Sequence, residues 1–135
     1  FSPDSRWIAY ASDETGQLEV YVRPFPGPGG RWQISSGGGS EPYWSRDGRE
    51  IYFRNQGFIH RVVVDSSDSF SAGRAEPLVE GGVDPPYDHT FSPAVDGQRF
   101  LILRNAEVGE LAPVQIVLDW GIEVERLTTS SDSNR

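Results

Sequence analysis

Trp44-Ser45-Arg46-Asp47-Gly48-Arg49-Glu50-Ile51-Tyr52-Phe53 decides the reading of this chain, because the pattern occurs more than once. Phe1-Ser2-Pro3-Asp4-Ser5-Arg6-Trp7-Ile8-Ala9-Tyr10 stands 43 residues earlier. A third version begins 47 residues later, as Phe91-Ser92-Pro93 followed by Asp96-Gly97-Gln98-Arg99-Phe100-Leu101-Ile102. On this alignment the third version carries two extra residues, Ala94 and Val95, before its Asp-Gly. Each version joins an aromatic-Ser step to a turn and then to a β-rich run. Pro presets φ, Asp accepts bonds from nearby backbone N–H groups, and Gly tolerates a positive φ, so the signal is that of a hairpin. Ser5 stands where the other versions have Gly48 and Gly97, which predicts a weaker first turn.

Strands follow the turns at matching places. The first repeat predicts strands over Trp7–Ser12, Leu18–Phe25 and Trp32–Ser35, the second over Ser40–Trp44, Glu50–Arg54, Phe58–Asp65 and Glu76–Val79, and the third over His89–Ser92, Arg99–Arg104 and Pro113–Trp120. Leu18, Val20 and Val22 alternate with Glu19, Tyr21 and Arg23, the period of two that a strand requires. Clusters of Gly, Pro, Ser and Asp, such as 24–30 and 81–86, cannot continue a ladder. A repeat of this length, with about four strands per copy, predicts an all-β propeller of four-stranded antiparallel blades. About three blades are present, over residues 1–36, 37–81 and 82–127, making a partial propeller over 1–127. Ile122–Leu127 has the pattern of a helical turn, and residues 128–135 read as a disordered polar tail.

Composition narrows the function. Twenty acidic against twelve basic side chains, a formal charge of -8, repel phosphate and argue against nucleic acid or an anionic membrane as partner. With no cysteine, neither disulfides nor thiolate metal sites are possible. No apolar run reaches the roughly 20 residues of a membrane-spanning helix, and nothing at the start reads as a signal peptide. The chain lacks methionine and opens inside a repeat, so the expectation is a segment of something longer.

The turns and their strands resemble the TolB-like propeller repeat, a relative of the WD-type repeat, in which a W-S-P-D-G turn precedes an I-Y-V strand. Phe1-Ser2-Pro3-Asp4 and Trp44-Ser45-Arg46-Asp47-Gly48 carry the turn, and Glu19-Val20-Tyr21-Val22 the strand. Val20 to Gly27, taken with Gly38-Gly39-Ser40-Glu41-Pro42, is similar to propeller regions found downstream of bacterial serine/threonine kinase domains. Such regions often end in a strand, N-W and a short charged segment; Val117-Leu118-Asp119-Trp120 and Glu123–Leu127 stand there, with Asp for Asn. Related propellers also precede peptidase domains and occur in the periplasmic TolB protein. The resemblance implies a non-catalytic binding or scaffolding module, a sensor or protein-interaction part of a larger bacterial protein such as a serine/threonine kinase, on the periplasmic or extracytoplasmic side. The rival it leaves open is a propeller gating a prolyl-oligopeptidase-like serine peptidase or another hydrolase.

Motifs for chemistry fail one by one. Gly27-Pro28-Gly29-Gly30-Arg31-Trp32 lacks the third glycine of a phosphate loop, and Ser45-Arg46-Asp47 is not a kinase His-Arg-Asp. Ser40 lacks the elbow of a hydrolase nucleophile. His60 shares parity with Phe58, Val62 and Val64, so it reads as packed; Asp4, Asp47 and Asp96 recur with the repeat and read as turn residues. No catalytic residue, metal site or cofactor is expected. The candidate surface for a protein or small-ligand partner is Glu41, Tyr87, Asp88 and His89, each in or just after a loop that leads into a repeat's first strand. Three blades leave open faces, so self-association or completion by further blades is expected as well.

Overall fold

The computed structural model describes residues 1–81 and 89–103 and the backbone of Ile116–Val117. Among these residues the chain is all-β, with no helix. Its strands are β1 Trp7–Ser12, β2 Glu19–Pro24, β3 Trp32–Gln33, β4 Ser40–Trp44, β5 Glu50–Asn55, β6 Phe58–Asp65, β7 Ser71–Ala72, β8 Glu76–Glu80, β9 Phe91–Pro93, β10 Phe100–Ile102 and β11 Ile116–Val117. Every pairing is antiparallel. The first sheet runs β1-β2-β3 and the third β9-β10-β11, while the middle sheet runs β4-β5-β6 with both β7 and β8 on β6.

Among the described residues the middle sheet has the expected four-strand run β4-β5-β6-β8, with β7 adding a short pairing that the sequence does not predict, and the first and third sheets show the three strands that their repeats predict. The strand expected from His89 starts at Phe91, because His89 has φ 64 and cannot lie in an extended ladder. The helical turn at 122–127 and the tail at 128–135 lie outside the described residues.

The repeated turn is reproduced atom for atom in its first two copies. Ser2 Oγ donates to Asp4 Oδ1 at 2.6 Å and accepts from Trp7 N at 2.9 Å; Ser45 Oγ donates to Asp47 Oδ1 at 2.7 Å and accepts from Glu50 N at 2.9 Å. Asp4 and Asp47 each accept from the amide two residues on, at 3.1 Å. The αL position is held by Ser5 at φ 59 and by Gly48 at φ 72, so Ser5 carries the strain its replacement of glycine predicts.

The third copy corrects the alignment. Ala94 N donates to Arg99 O, Gly97 N to Ala94 O and Gln98 N to Asp96 Oδ1, the bonds that Ser45, Gly48 and Arg49 make in the second copy. Ala94 therefore stands in the place of Ser45, and Ala94 and Val95 are turn residues, not an insertion. Phe91 and Ser92 belong to the strand before the turn. Pattern matching on Phe-Ser-Pro was misled because the third turn has no serine hydroxyl.

Strand β5 explains the packing. Ile51 and Phe53 face the first sheet, within a core shared with Trp7, Val20, Val22, Ile34, Val62, Val64 and Phe70. Tyr52, on the opposite face, joins Ile59, Leu78, Phe91, Phe100 and Ile102 against the third sheet. Ile51, Tyr52 and Phe53 are 0%, 1% and 1% exposed, so the strand is buried on both sides. The layers are locked by aromatic contacts, Trp7 on Phe70 at 5.3 Å on one side and Tyr52 on Phe100 at 5.2 Å on the other.

Two outcomes follow for the turn. Ser45→Ala removes the acceptor of Glu50 N–H and is expected to cost about 1–2 kcal/mol in urea unfolding, while Ala94→Ser supplies the missing hydroxyl and adds about 0.5–1 kcal/mol. Acid is the second test. The Ser2 hydroxyl and then Arg6 hold Asp4 down from 3.8 to about 2. Because the folded value is depressed, the stabilisation is present above the unfolded value and is lost as pH falls through about 4 towards about 2. Asp4→Asn should flatten the stability profile in that window when unfolding is followed against pH.

Candidate functional site

At Glu41 the backbone leaves the regular ladder. Ser40 pairs with Arg54 and Tyr43 with Tyr52, so β4 spends one residue more than β5 over the same stretch. That bulge holds Glu41 at φ 52 and places Pro42, which has no N–H to offer, where a ladder donor is not needed. The bulge re-aims the Glu41 side chain out of its own sheet. Its carboxylate accepts from Thr90 N at 2.6 Å and from Thr90 Oγ1 at 2.9 Å, and lies 3.7 Å from Arg54 Nη1.

Thr90 is 0% exposed, and its carbonyl accepts from Leu103 N at 2.8 Å, so the same residue closes the end of the third sheet. Arg54 is itself buried and Glu41 is largely covered, at 8% and 12% side-chain exposure. Arg54 follows Tyr52 on the face turned to the third sheet, where a buried guanidinium requires an anionic neighbour. Glu41 is thus a clamp between two sheets, and its carboxylate is turned inward.

His89 is the outward member of the group. It is exposed, sits at φ 64 and shares a hydrogen bond with Tyr43, OH to Nδ1, at 2.9 Å. Burial, followed by the Glu41 charge, raises the Tyr43 phenol above its ordinary value, so it stays protonated at neutral pH. A phenol that donates to Nδ1 leaves Nε2–H as the ring's remaining donor. The Tyr43 ring packs edge-on against Phe91 at 4.9 Å, which fixes the pair on the rigid junction of the two sheets.

The structure therefore brings Glu41 and His89 together at one sheet junction, in different roles. Tyr87 and Asp88 lie outside the described residues. Tyr43, Arg54 and Thr90 were missed by the sequence reading. The period-two placement of Arg54 beside buried neighbours was the available signal, whereas nothing local marks Thr90 as the partner of a residue 49 positions away.

The other features singled out in the sequence are packed or tied. His60 stacks on Phe53 at 5.3 Å and 18°, and burial lowers its pKa. A second clamp joins Glu19 to Ser35 Oγ and to Gly38 N at 3.0 Å, while Ser35 Oγ accepts from Val20 N at 2.7 Å. A Cβ on Gly39 would fall 2.6 Å from Ser35 Oγ, so glycine is required there. Ser40, beside it, begins β4 as an ordinary strand residue. An open cleft of about 710 Å³ lies between the second and third turns, lined by Arg46, Asp47, Glu50, Tyr52, Asp96 and Gln98. Asp47 and Asp96 are held below the usual carboxylate range there, Asp47 first by the Ser45 hydroxyl and Asp96 first by the Gln98 amide. Among the described residues no three His, Asp or Glu side chains are grouped to hold a metal, and no helix is long and apolar enough to cross a membrane. No protein-family model matches this chain, and no curated protein matches it.

The clamp has a measurable strength. Glu41→Ala removes the acceptor of the buried Thr90 N–H and hydroxyl and the 3.7 Å ion pair with Arg54, and is expected to cost about 2 kcal/mol in urea unfolding. Glu41→Gln keeps an acceptor for Thr90 and should cost less. Near-equal stability of Glu41→Ala and the wild type would refute the clamp.

Proposed function

We propose that the chain is part of a β-propeller of the TolB-like kind and acts as a non-catalytic recognition module, presenting the His89–Tyr43 junction to a protein or small-ligand partner. The recurrence of one turn, with the same backbone bonds, ahead of β1, β5 and β10 in three stacked sheets supports the propeller part of this reading. The binding role is supported by the site itself. An exposed imidazole and a phenol are held by two residues in the left-handed region, on a junction whose charges are spent internally on Glu41, Arg54 and Thr90. Strained backbone of this sort is enriched at ligand-contacting positions. The turn carboxylates support a non-catalytic role, because groups held ionised by their own backbone are poor proton donors at neutral pH. On the resemblance of its turns to the TolB-like repeat, the module is proposed to be the sensor or interaction part of a larger bacterial protein such as a serine/threonine kinase.

The test is affinity capture with the chain as bait from the cells that make it, followed by titration of the captured partner. His89→Ala, at an exposed position, is expected to weaken that partner by about tenfold, or 1.4 kcal/mol, without changing the unfolding midpoint. Equal affinity of His89→Ala, Tyr43→Phe and wild type would remove this surface from consideration.

A further inference from the structure

A smaller cavity, of about 400 Å³, opens between the first and middle sheets. Its walls are tied in place by backbone bonds. The first sheet supplies residues 33–36, where Ile34 N donates to Val20 O at 2.9 Å and Ser35 Oγ accepts from Val20 N at 2.7 Å. The middle sheet supplies Phe53, Asn55 and His60 from β5 and β6, together with residues 73–75, the connection between β7 and β8. Gly73 N donates to Val63 O at 2.8 Å, which fastens that connection to β6. The cavity thus belongs to one pair of facing sheets, and no further layer is needed to form it.

Its inner part is apolar. Ile34 and Phe53 are buried members of the core these sheets share, and the His60 imidazole stacks on Phe53 at 18°, so two flat rings line the space. Burial lowers the imidazole's pKa, with the Asn55 backbone as a smaller opposing influence, so the ring is neutral at neutral pH. The rim is polar, with Ser36 and Arg74 exposed and Asn55 half-buried. Arg74 is the one charged side chain in the lining, which contains no Asp or Glu. The buried Glu19 carboxylate is spent on Ser35 Oγ and Gly38 N and does not line the cavity. Arg74 itself forms no ion pair with a described residue.

We propose that this cavity binds a small organic anion, a carboxylate carried on a flat apolar body, with the carboxylate on Arg74 and the body against Phe53 and His60. Its volume lies in the range of small-ligand sites, and an apolar interior with a few polar groups at the rim is their usual make-up. A guanidinium meets a carboxylate through two parallel N–H bonds, a match that a neutral ligand forgoes. A bare inorganic anion would forgo the apolar interior. Walls already held by backbone bonds keep the ordering cost of binding low. The net charge of -8 repels anions at a distance, so an anion retained here is retained by local contacts. The site lies between the first and middle sheets, apart from the His89–Tyr43 junction, and the inference does not rest on that surface.

Benzoate is the probe, titrated into the full chain at neutral pH and followed by the His60 Cε1–H resonance, with benzamide as its uncharged counterpart. Benzoate is expected to shift that resonance saturably, with the low-millimolar Kd of a ligand this small, and to leave the His89 resonance in place. Benzamide should bind about tenfold more weakly. Arg74→Gln, at an exposed position, should weaken benzoate about tenfold while keeping the wild-type unfolding midpoint and the wild-type response to benzamide. Arg74→Lys keeps the charge without the fork and should fall between the two. The proposal is overturned by the lack of a saturable shift at His60, by benzamide binding as tightly as benzoate, or by wild-type affinity in Arg74→Gln. A shift at His89 alone would overturn it as well, because the anion would then sit at the other junction.

Discussion

Strand β5 has no face left for water. Ile51 and Phe53 point to one side, Tyr52 and Arg54 to the other, and all four are buried. Antiparallel sheets commonly keep one face solvated, so a central strand of this kind exists only where a layer is supplied on each side. The first sheet supplies Trp7, Val20 and Val22, and the third supplies Phe91, Phe100 and Ile102. At roughly 1.5–3 kcal/mol for each large side chain removed from water, these two apolar seams dominate the favourable side of folding.

The serine-aspartate turn makes that layering repeatable. It reverses the chain within a few residues and satisfies the amides that would otherwise be left at the hairpin's end, through Ser45 Oγ and Asp47 Oδ1. Because each turn fixes the register of the strand that follows it, the residues at equal spacing from the aspartate, such as Ile51 and Phe100, face the preceding sheet. Where the turn is imperfect the geometry still holds. Ser5 accepts a positive φ, and Ala94 keeps the backbone bonds without the hydroxyl.

Between the second and third sheets a bulge converts a strand residue into a clamp. Glu41 reaches over to Thr90 and Arg54, and the neighbouring Tyr43 and His89 are left as the outward pair. Charge is consumed inside the junction, and the two polar rings are held on its outer side. The net charge of -8 adds a preference for neutral or cationic partners and a repulsion between copies that salt would screen.

Sequence alone determined the all-β class, the turns and nearly all the strand positions, because turn chemistry and period-two alternation are local properties of consecutive residues. It also marked His60 as packed and the turn aspartates as structural. Local pattern failed at Ala94, where the cue residue is absent and only the backbone bonds reveal the register. It failed at Thr90, whose partner Glu41 lies on another sheet, and at Arg54, which meets Glu41 only through the bulge in the neighbouring strand β4. Glu41 and His89 were chosen for lying beside strand-leading loops, but which of them points inward was decided by a bulge and two left-handed residues. Those conformations persist because surrounding sheets hold them, and no short stretch of sequence contains that constraint.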